Sequence, residues 1–166
     1  MTADSLVDAD TAAKVGTVAA TATGEVLRRD WQRWAVAVGD DNALWFDPEY
    51  ARANGYRDII CPPLYLQYAI LGVTPLSGLR PDGSSGAVSG GLAFPKAPRR
   101  MAGGESFTFH MPAYHRDEIE MVRTVESIVE KDGRSGRFVL VTWHTVYRNQ
   151  HRELVAEAAT SMIARP

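Results

Sequence analysis

From Gly103 to Arg165 the chain reads as four strand-like runs in succession, GGESFTFHMPAY, EIEMVRTVESIVE, RFVLVTWHTVYRN and ELVAEAATSMIAR, joined by the short turns HRD, KDGRSG and NQHR. Turns this short favour antiparallel pairing, because a parallel neighbour requires a crossover of about a dozen residues or more. The third run has a two-residue period: Val139, Val141, Trp143, Thr145 and Tyr147 share one face, and Leu140, Thr142, His144 and Val146 share the other. Such alternation belongs to a sheet with one face on a core and the other toward solvent. The C-terminal part is therefore an antiparallel meander, and the N-terminal part must cover its apolar face.

Residues 1–15, with Asp4, Asp8 and Asp10 among small side chains, read as a flexible lead-in. The run GTVAATATGEV over 16–26 is rich in β-branched residues and suits a strand, with a helix as the alternative. In RDWQRWAVAV, Trp31, Trp34, Ala35 and Val38 fall at helical spacing and Gly39 supplies a stop. Asp47-Pro48 then reads as a capped helix start, closed by Asn54-Gly55. After Pro62-Pro63, the segment PPLYLQYAILG is apolar or aromatic at Leu64, Tyr65, Tyr68, Ala69 and Leu71, which predicts a helix buried nearly all round. The Gly-, Ser- and Pro-rich stretch from Thr74 to Gly91 reads as a mobile loop within one domain spanning 16–166. The expected architecture is α+β, a single hot-dog fold in which an antiparallel sheet wraps a long central helix.

Composition removes several functional classes. A formal net charge of −2 and a pI near 6.1 give no general basic footprint for nucleic acid or an anionic membrane surface. The chain contains no apolar run approaching a membrane span, and its start, MTADSLVDAD, lacks the pattern of a secretory signal, so the expected location is the cytoplasm. The single cysteine, Cys61, excludes an internal disulfide, and the histidine spacings form no metal signature. No cofactor is implied.

The stretch AVAVGDDNALWFDPEYARANGYRDIICPPLYL resembles the signature of MaoC-like R-specific enoyl-thioester hydratases and dehydratases, whose motif runs G-D-x-N-P, an apolar residue, then H. The later pieces GGESFTF, EKDGRSGRFVLVTWHTVYRNQ and ELVAEA are similar to the N-terminal, usually non-catalytic, hot-dog domain of that superfamily. The resemblance implies an aspartate and a histidine that hold one water and add it across an enoyl thioester, or remove it from a 3-hydroxyacyl thioester. Carried over by position, the aspartate is Asp40 and the asparagine is Asn42, but the histidine falls on Trp45. The glycine whose backbone N–H meets the thioester oxygen falls on Pro63, which has no N–H. Asp40 and Asn42 thus read as vestigial or supporting residues, and Asp40 equally as a turn residue after Gly39.

The resemblance also implies a substrate carried on coenzyme A or an acyl carrier protein, and a tunnel to which Trp31, Trp34, Trp45, Tyr65 and Tyr68 are candidate wall residues. The basic segment AFPKAPRR offers Lys96, Arg99 and Arg100 either to the carrier's phosphates or simply to solvent. His110, His115, His144 and His151 lie in or beside strands and turns, where a lone histidine is more often structural. The expected partner is a separate catalytic MaoC-like subunit, in a heterodimer or higher assembly. The alternatives are an active homodimer using Asp40 with a donor such as His110 or Tyr65, and an acyl-binding scaffold without turnover.

Overall fold

A computed structural model describes residues 5–71, 75–81, 83 and 89–166. In chain order these form helix α1 (Ala9–Ala12), strand β1 (Val18–Glu25), helix α2 (Arg28–Val38), a 3-10 turn at Ala43–Trp45 and helix α3 (Pro48–Ala53). A 3-10 turn at Pro63–Tyr65 runs into helix α4 (Leu66–Ala69), with further turns at Leu76–Gly78 and Ser89–Gly91. Strands β2 (Arg99–Phe109), β3 (Glu118–Gly133), β4 (Gly136–Arg148) and β5 (Leu154–Arg165) complete the order. All strand pairings are antiparallel, and the sheet runs β1-β3-β4-β5-β2.

The sheet is α+β hot-dog in form, but its order is not a simple meander. β3, β4 and β5 pair in sequence, whereas β2 lies beyond β5 at the far edge. The reason is the connection from His110 to Asp117, which crosses one end of the sheet. His110 N–H donates to Val155, Cys61 N–H donates to Ala113, and Val26 and Arg116 or Asp117 exchange backbone bonds along the way. Length, not turn chemistry, frees β2 from pairing with β3.

The alternation in β4 holds: Val139, Val141, Trp143, Thr145 and Tyr147 are all buried. They divide between two clusters on the covered face. One cluster packs Met121, Tyr147, Ala156 and Ala158 of the sheet under Trp31 and Ala35 of α2, Trp45, Tyr65 and Leu66. The other packs Val125, Val139, Val141 and Trp143 under Leu6, Val7, Leu92 and Phe94.

This second cluster includes part of the expected lead-in of 1–15, of which residues 1–4 lie outside the described residues. From Ser5 onward the segment is packed: Leu6 and Val7 are buried, and Asp8 caps α1 by accepting from Thr11 N–H at 2.7 Å. One carboxylate oxygen of Glu130 accepts from the Ser5 hydroxyl and from the backbone N–H groups of Leu6 and Val7. Of the acidic residues that suggested a lead-in, Asp8 is a helix cap and Asp10 is exposed, while Asp4 lies outside the described residues.

The central helix is also shorter than its sequence suggested. Among the described residues it is one 3-10 turn followed by α4, and Leu64, Tyr68 and Leu71 are exposed. Its end approaches β1 so closely that a Cβ built on Gly24 would lie 1.9 Å from the Ala69 carbonyl oxygen. Only glycine admits that contact. Of the loop expected from Thr74 to Gly91, residues 74, 82 and 84–88 lie outside the described residues. Arg99 and Arg100, expected in a basic loop, begin β2 instead.

Candidate functional site

α2 ends where Gly39 adopts the left-handed conformation, with φ 75° and ψ 25°, and the Asp40 N–H closes on the Ala35 carbonyl at 2.8 Å. The Asp40 carboxylate then accepts from Asn42 N–H at 3.2 Å, and the Asn42 side-chain oxygen accepts from Leu44 N–H at 3.0 Å. Both motif side chains accept a bond within the turn that carries them. Asp47 accepts from Glu49 and Tyr50 N–H and starts α3, as the sequence predicts.

Trp45 lies 6% exposed in the first cluster. Its carbonyl accepts from Gln32 Nε2 at 3.0 Å and from Trp31 Nε1 at 3.4 Å, but its own indole N–H is buried without an acceptor among the described residues. Such an orphan donor costs about 1–3 kcal/mol. Trp45 cannot exchange a proton near neutral pH.

The loop connects to the Pro62-Pro63 turn through Ile60 N–H, which donates to the Leu44 carbonyl at 3.1 Å. Pro63 is exposed at the start of its 3-10 turn, where proline is favoured and no N–H is available to a ligand. Beside it opens a cavity of about 240 Å3 lined by Ile60, Cys61, Pro63, Leu66, Phe109 and His110, among others. The Cys61 thiol is buried and its Sγ approaches the Pro62 carbonyl at 3.4 Å. Burial first, and the Asp117 charge second, push its pKa well above the ordinary thiol range, so it stays protonated and unreactive.

Tyr65, Tyr68 and Trp34 come together as an aromatic group, with ring centroids 5.9 Å apart for Trp34 and Tyr65, 5.5 Å for Trp34 and Tyr68, and 6.3 Å for the tyrosines. Burial raises the Tyr65 pKa, and the charge of Asp30 adds to it. Trp31 is completely buried and meets His115 edge-on, so it belongs to the core rather than to this wall. Lys96, Arg99 and Arg100 are not gathered around it. Lys96 Nζ donates to the Ser5 carbonyl at 2.9 Å, and Arg99 Nε donates to the Pro166 carbonyl at 2.6 Å. Both tie the lead-in and the C-terminus to the second cluster's end of the sheet.

Among the histidines, His110 and His144 flank one carboxylate: their Nε2 atoms lie 3.1 Å and 3.3 Å from the two oxygens of Glu157. His115 Nδ1 accepts from Arg28 N–H at 3.2 Å, and His151 sits in the β4–β5 turn, which Asn149 organises. No group of three or more His, Cys, Asp or Glu among the described residues is placed to hold a metal ion.

One feature lies outside every sequence expectation. Arg123 shares the covered face with Met121, and its Nε donates to the completely buried Thr145 hydroxyl at 3.1 Å. Glu105 reaches that face from β2, opposite Thr160. Both charges act on the hydroxyl of buried Tyr147, whose pKa burial raises, Arg123 lowers and Glu105 raises. The Arg123–Thr145 pair therefore lies between Met121 and Tyr147 of one cluster and Val125 and Trp143 of the other. Alternation alone, Met121-Arg123-Val125, carried the signal.

A family model described as FAS1-like, dehydratase domain region, matches residues 13–158. A UPF0336 protein of Parafrankia sp. (strain EAN1pec) is 33% identical over 141 residues, covering 85% of this chain and 84% of the relative. A protein of Thermomonospora curvata named as a probable enoyl-CoA hydratase alpha subunit is 30% identical over 128 residues, which span 75% of this chain and 40% of that longer relative. Among solved structures, the ChsH1-ChsH2 complex from Mycobacterium tuberculosis contains a chain that superposes with a TM-score of 0.74 at 21% identity, over 93% of this chain and 91% of that one. That last likeness is one of fold. The family model reaches from the residue after α1 into β5, across the Gly39–Asp47 loop, and the chain belongs to the FAS1-like dehydratase domain family.

Proposed function

We propose that this chain is the non-catalytic, tunnel-forming half of an R-specific enoyl-thioester hydratase or 3-hydroxyacyl-thioester dehydratase, paired with a separate MaoC-like subunit that supplies the aspartate and histidine. The observation that carries the reading is the state of the reaction-centre positions. Trp45 is packed in the core, Pro63 offers no N–H, and Asp40 and Asn42 are bonded within their own turn. In the reaction, water oxygen bonds to C3 of the enoyl thioester and a proton reaches C2 while enolate charge collects on the thioester oxygen. A proton-transfer group contributes about 10²–10⁴-fold and an oxyanion donor about 10²–10³-fold. A centre lacking both is nearly silent.

The relative named as an alpha subunit and the two-component complex with this fold support a divided enzyme. Tyr65, Tyr68 and Trp34 supply this half's wall, with Trp45 filling the space behind it. The substrate is an acyl thioester on coenzyme A or a carrier protein. The test is co-expression with a short MaoC-like protein carrying the full motif: the pair hydrates a trans-2-enoyl thioester, and alanine at the partner's histidine abolishes turnover. Activity that survives that change overturns the divided-enzyme reading.

A second reading has one observation in its favour. His110 lines the cavity beside Pro63 and is held by Glu157, the arrangement a general acid–base histidine would need. An active homodimer built on His110 would lose activity in His110→Ala.

A further inference from the structure

The basic segment that the sequence offers to a carrier is engaged elsewhere, but α2 presents a different basic surface. Arg29, Arg33 and Val36 are exposed at helical spacing on one face, and with half-buried Gln32 and with Phe46 they line a shallow depression of about 380 Å3. Val36 is 71% exposed and Phe46 is 37% exposed, so the depression has an apolar floor and rim. The side chain of Arg29 is 78% exposed and lies 4.0 Å from the Asp30 carboxylate. Asp30 itself lies toward Tyr65, on whose hydroxyl its charge acts. The stripe is thus locally cationic on a chain whose net charge is −2.

The depression is also built onto the altered loop. Gln32 holds the Trp45 carbonyl, and Phe46 is the next residue. Two arginines bracketing exposed valine and phenylalanine complement an acidic amphipathic helix with an apolar ridge. They do not suit a nucleic acid, which would require more phosphate contacts and less apolar surface.

We propose that this face of α2 docks an acidic acyl carrier protein, so that the non-catalytic half selects the carrier. The assignment rests on the thioester reading above and narrows its substrate class to carrier-bound acyl chains. It also gives the half-site a task other than forming walls.

The experiment compares two probes against the full chain co-purified with its catalytic partner: a trans-2-octenoyl acyl carrier protein and trans-2-octenoyl coenzyme A. Arg29→Glu combined with Arg33→Glu is expected to raise KM for the carrier substrate tenfold or more while changing KM for the coenzyme A substrate less than twofold. Rising salt should raise the carrier KM of the unaltered complex and have little effect on that of the charge-reversed one. Arg29→Gln with Arg33→Gln, checked by thermal unfolding, should give the same direction at smaller size. Equal changes for both probes, or none for the carrier, overturn the docking assignment while leaving the thioester reading intact. A second copy of the chain or the catalytic subunit occupying this face, seen as loss of assembly in the same variants, overturns it as well. Turnover of neither probe by the unaltered complex overturns the thioester reading and the docking assignment with it.

Discussion

At the scale of single residues, Trp45 and Pro63 remove different things from the same centre, and a mutant cycle separates them. Trp45→His restores a titratable ring but empties part of the core, at a stability cost below the roughly 3–5 kcal/mol of full aromatic truncation. Pro63→Gly restores an N–H on an exposed turn at the cost of added chain freedom. Neither single variant is expected to hydrate an enoyl thioester measurably, and any rescue should appear only in the double variant. Strong activity in Trp45→His alone would show that Pro63 does not stand at the oxyanion position. Glu130 makes a separate prediction. Its pKa is held below the ordinary 4.5, chiefly by the Ser5 hydroxyl, with Arg137 and the Val7 and Leu6 N–H groups adding to the effect against burial. A depressed carboxylate contributes stability that is fully present above its unfolded value and lost as pH falls through the folded one. Glu130→Gln should therefore lower Tm by a few degrees near neutral pH, corresponding to about 1 kcal/mol, and by less in acid. It should also speed exchange at the Leu6 and Val7 amides; unchanged exchange would show that the clasp does not hold the lead-in. The turn role of Asp40 was legible because aspartate bonds locally after a helix stop, whereas the Arg123–Thr145 pair depends on which face of β3 is covered.

At the scale of elements, the contact between β1 and the end of α4 is the least forgiving. Gly24→Ala places a methyl group against the Ala69 carbonyl, so one element must move. A loss of about 1–3 kcal/mol is expected, read as a lower denaturation midpoint with an unchanged slope. A neutral substitution would mean that α4 does not sit against β1. Strand segments and the α2 stop at Gly39 were readable because period and cap chemistry are local signals. The length of α4 was not, since an apolar run such as PPLYLQYAILG is equally consistent with a buried helix and with a half-exposed one facing a partner. The pairing of β2 with β5 was hidden for a similar reason: a connection as long as His110 to Asp117 leaves the strand's neighbour undetermined.

At the scale of the whole molecule, β2 is an edge strand whose side chains are exposed except for the partly buried Phe107. Phe107 and Phe109 stack along it with centroids 5.6 Å apart, and Met101 is half exposed. A long open edge with apolar side chains invites another strand, and we expect it to pair with the catalytic subunit. Phe109→Pro, at a position whose N–H faces away from β5, should weaken that assembly in sedimentation while leaving the β2–β5 ladder intact; full assembly would place the interface elsewhere. The central claim, that this chain forms half an enzyme without its own chemistry, meets its most direct test in turnover. Hydration of trans-2-octenoyl coenzyme A should be measured for the purified chain alone, for the complex with its MaoC-like partner, and for each carrying Asp40→Asn. The account predicts negligible turnover by the chain alone and robust turnover by the complex, changed little by Asp40→Asn. Robust turnover by the chain alone, abolished by Asp40→Asn, would contradict it.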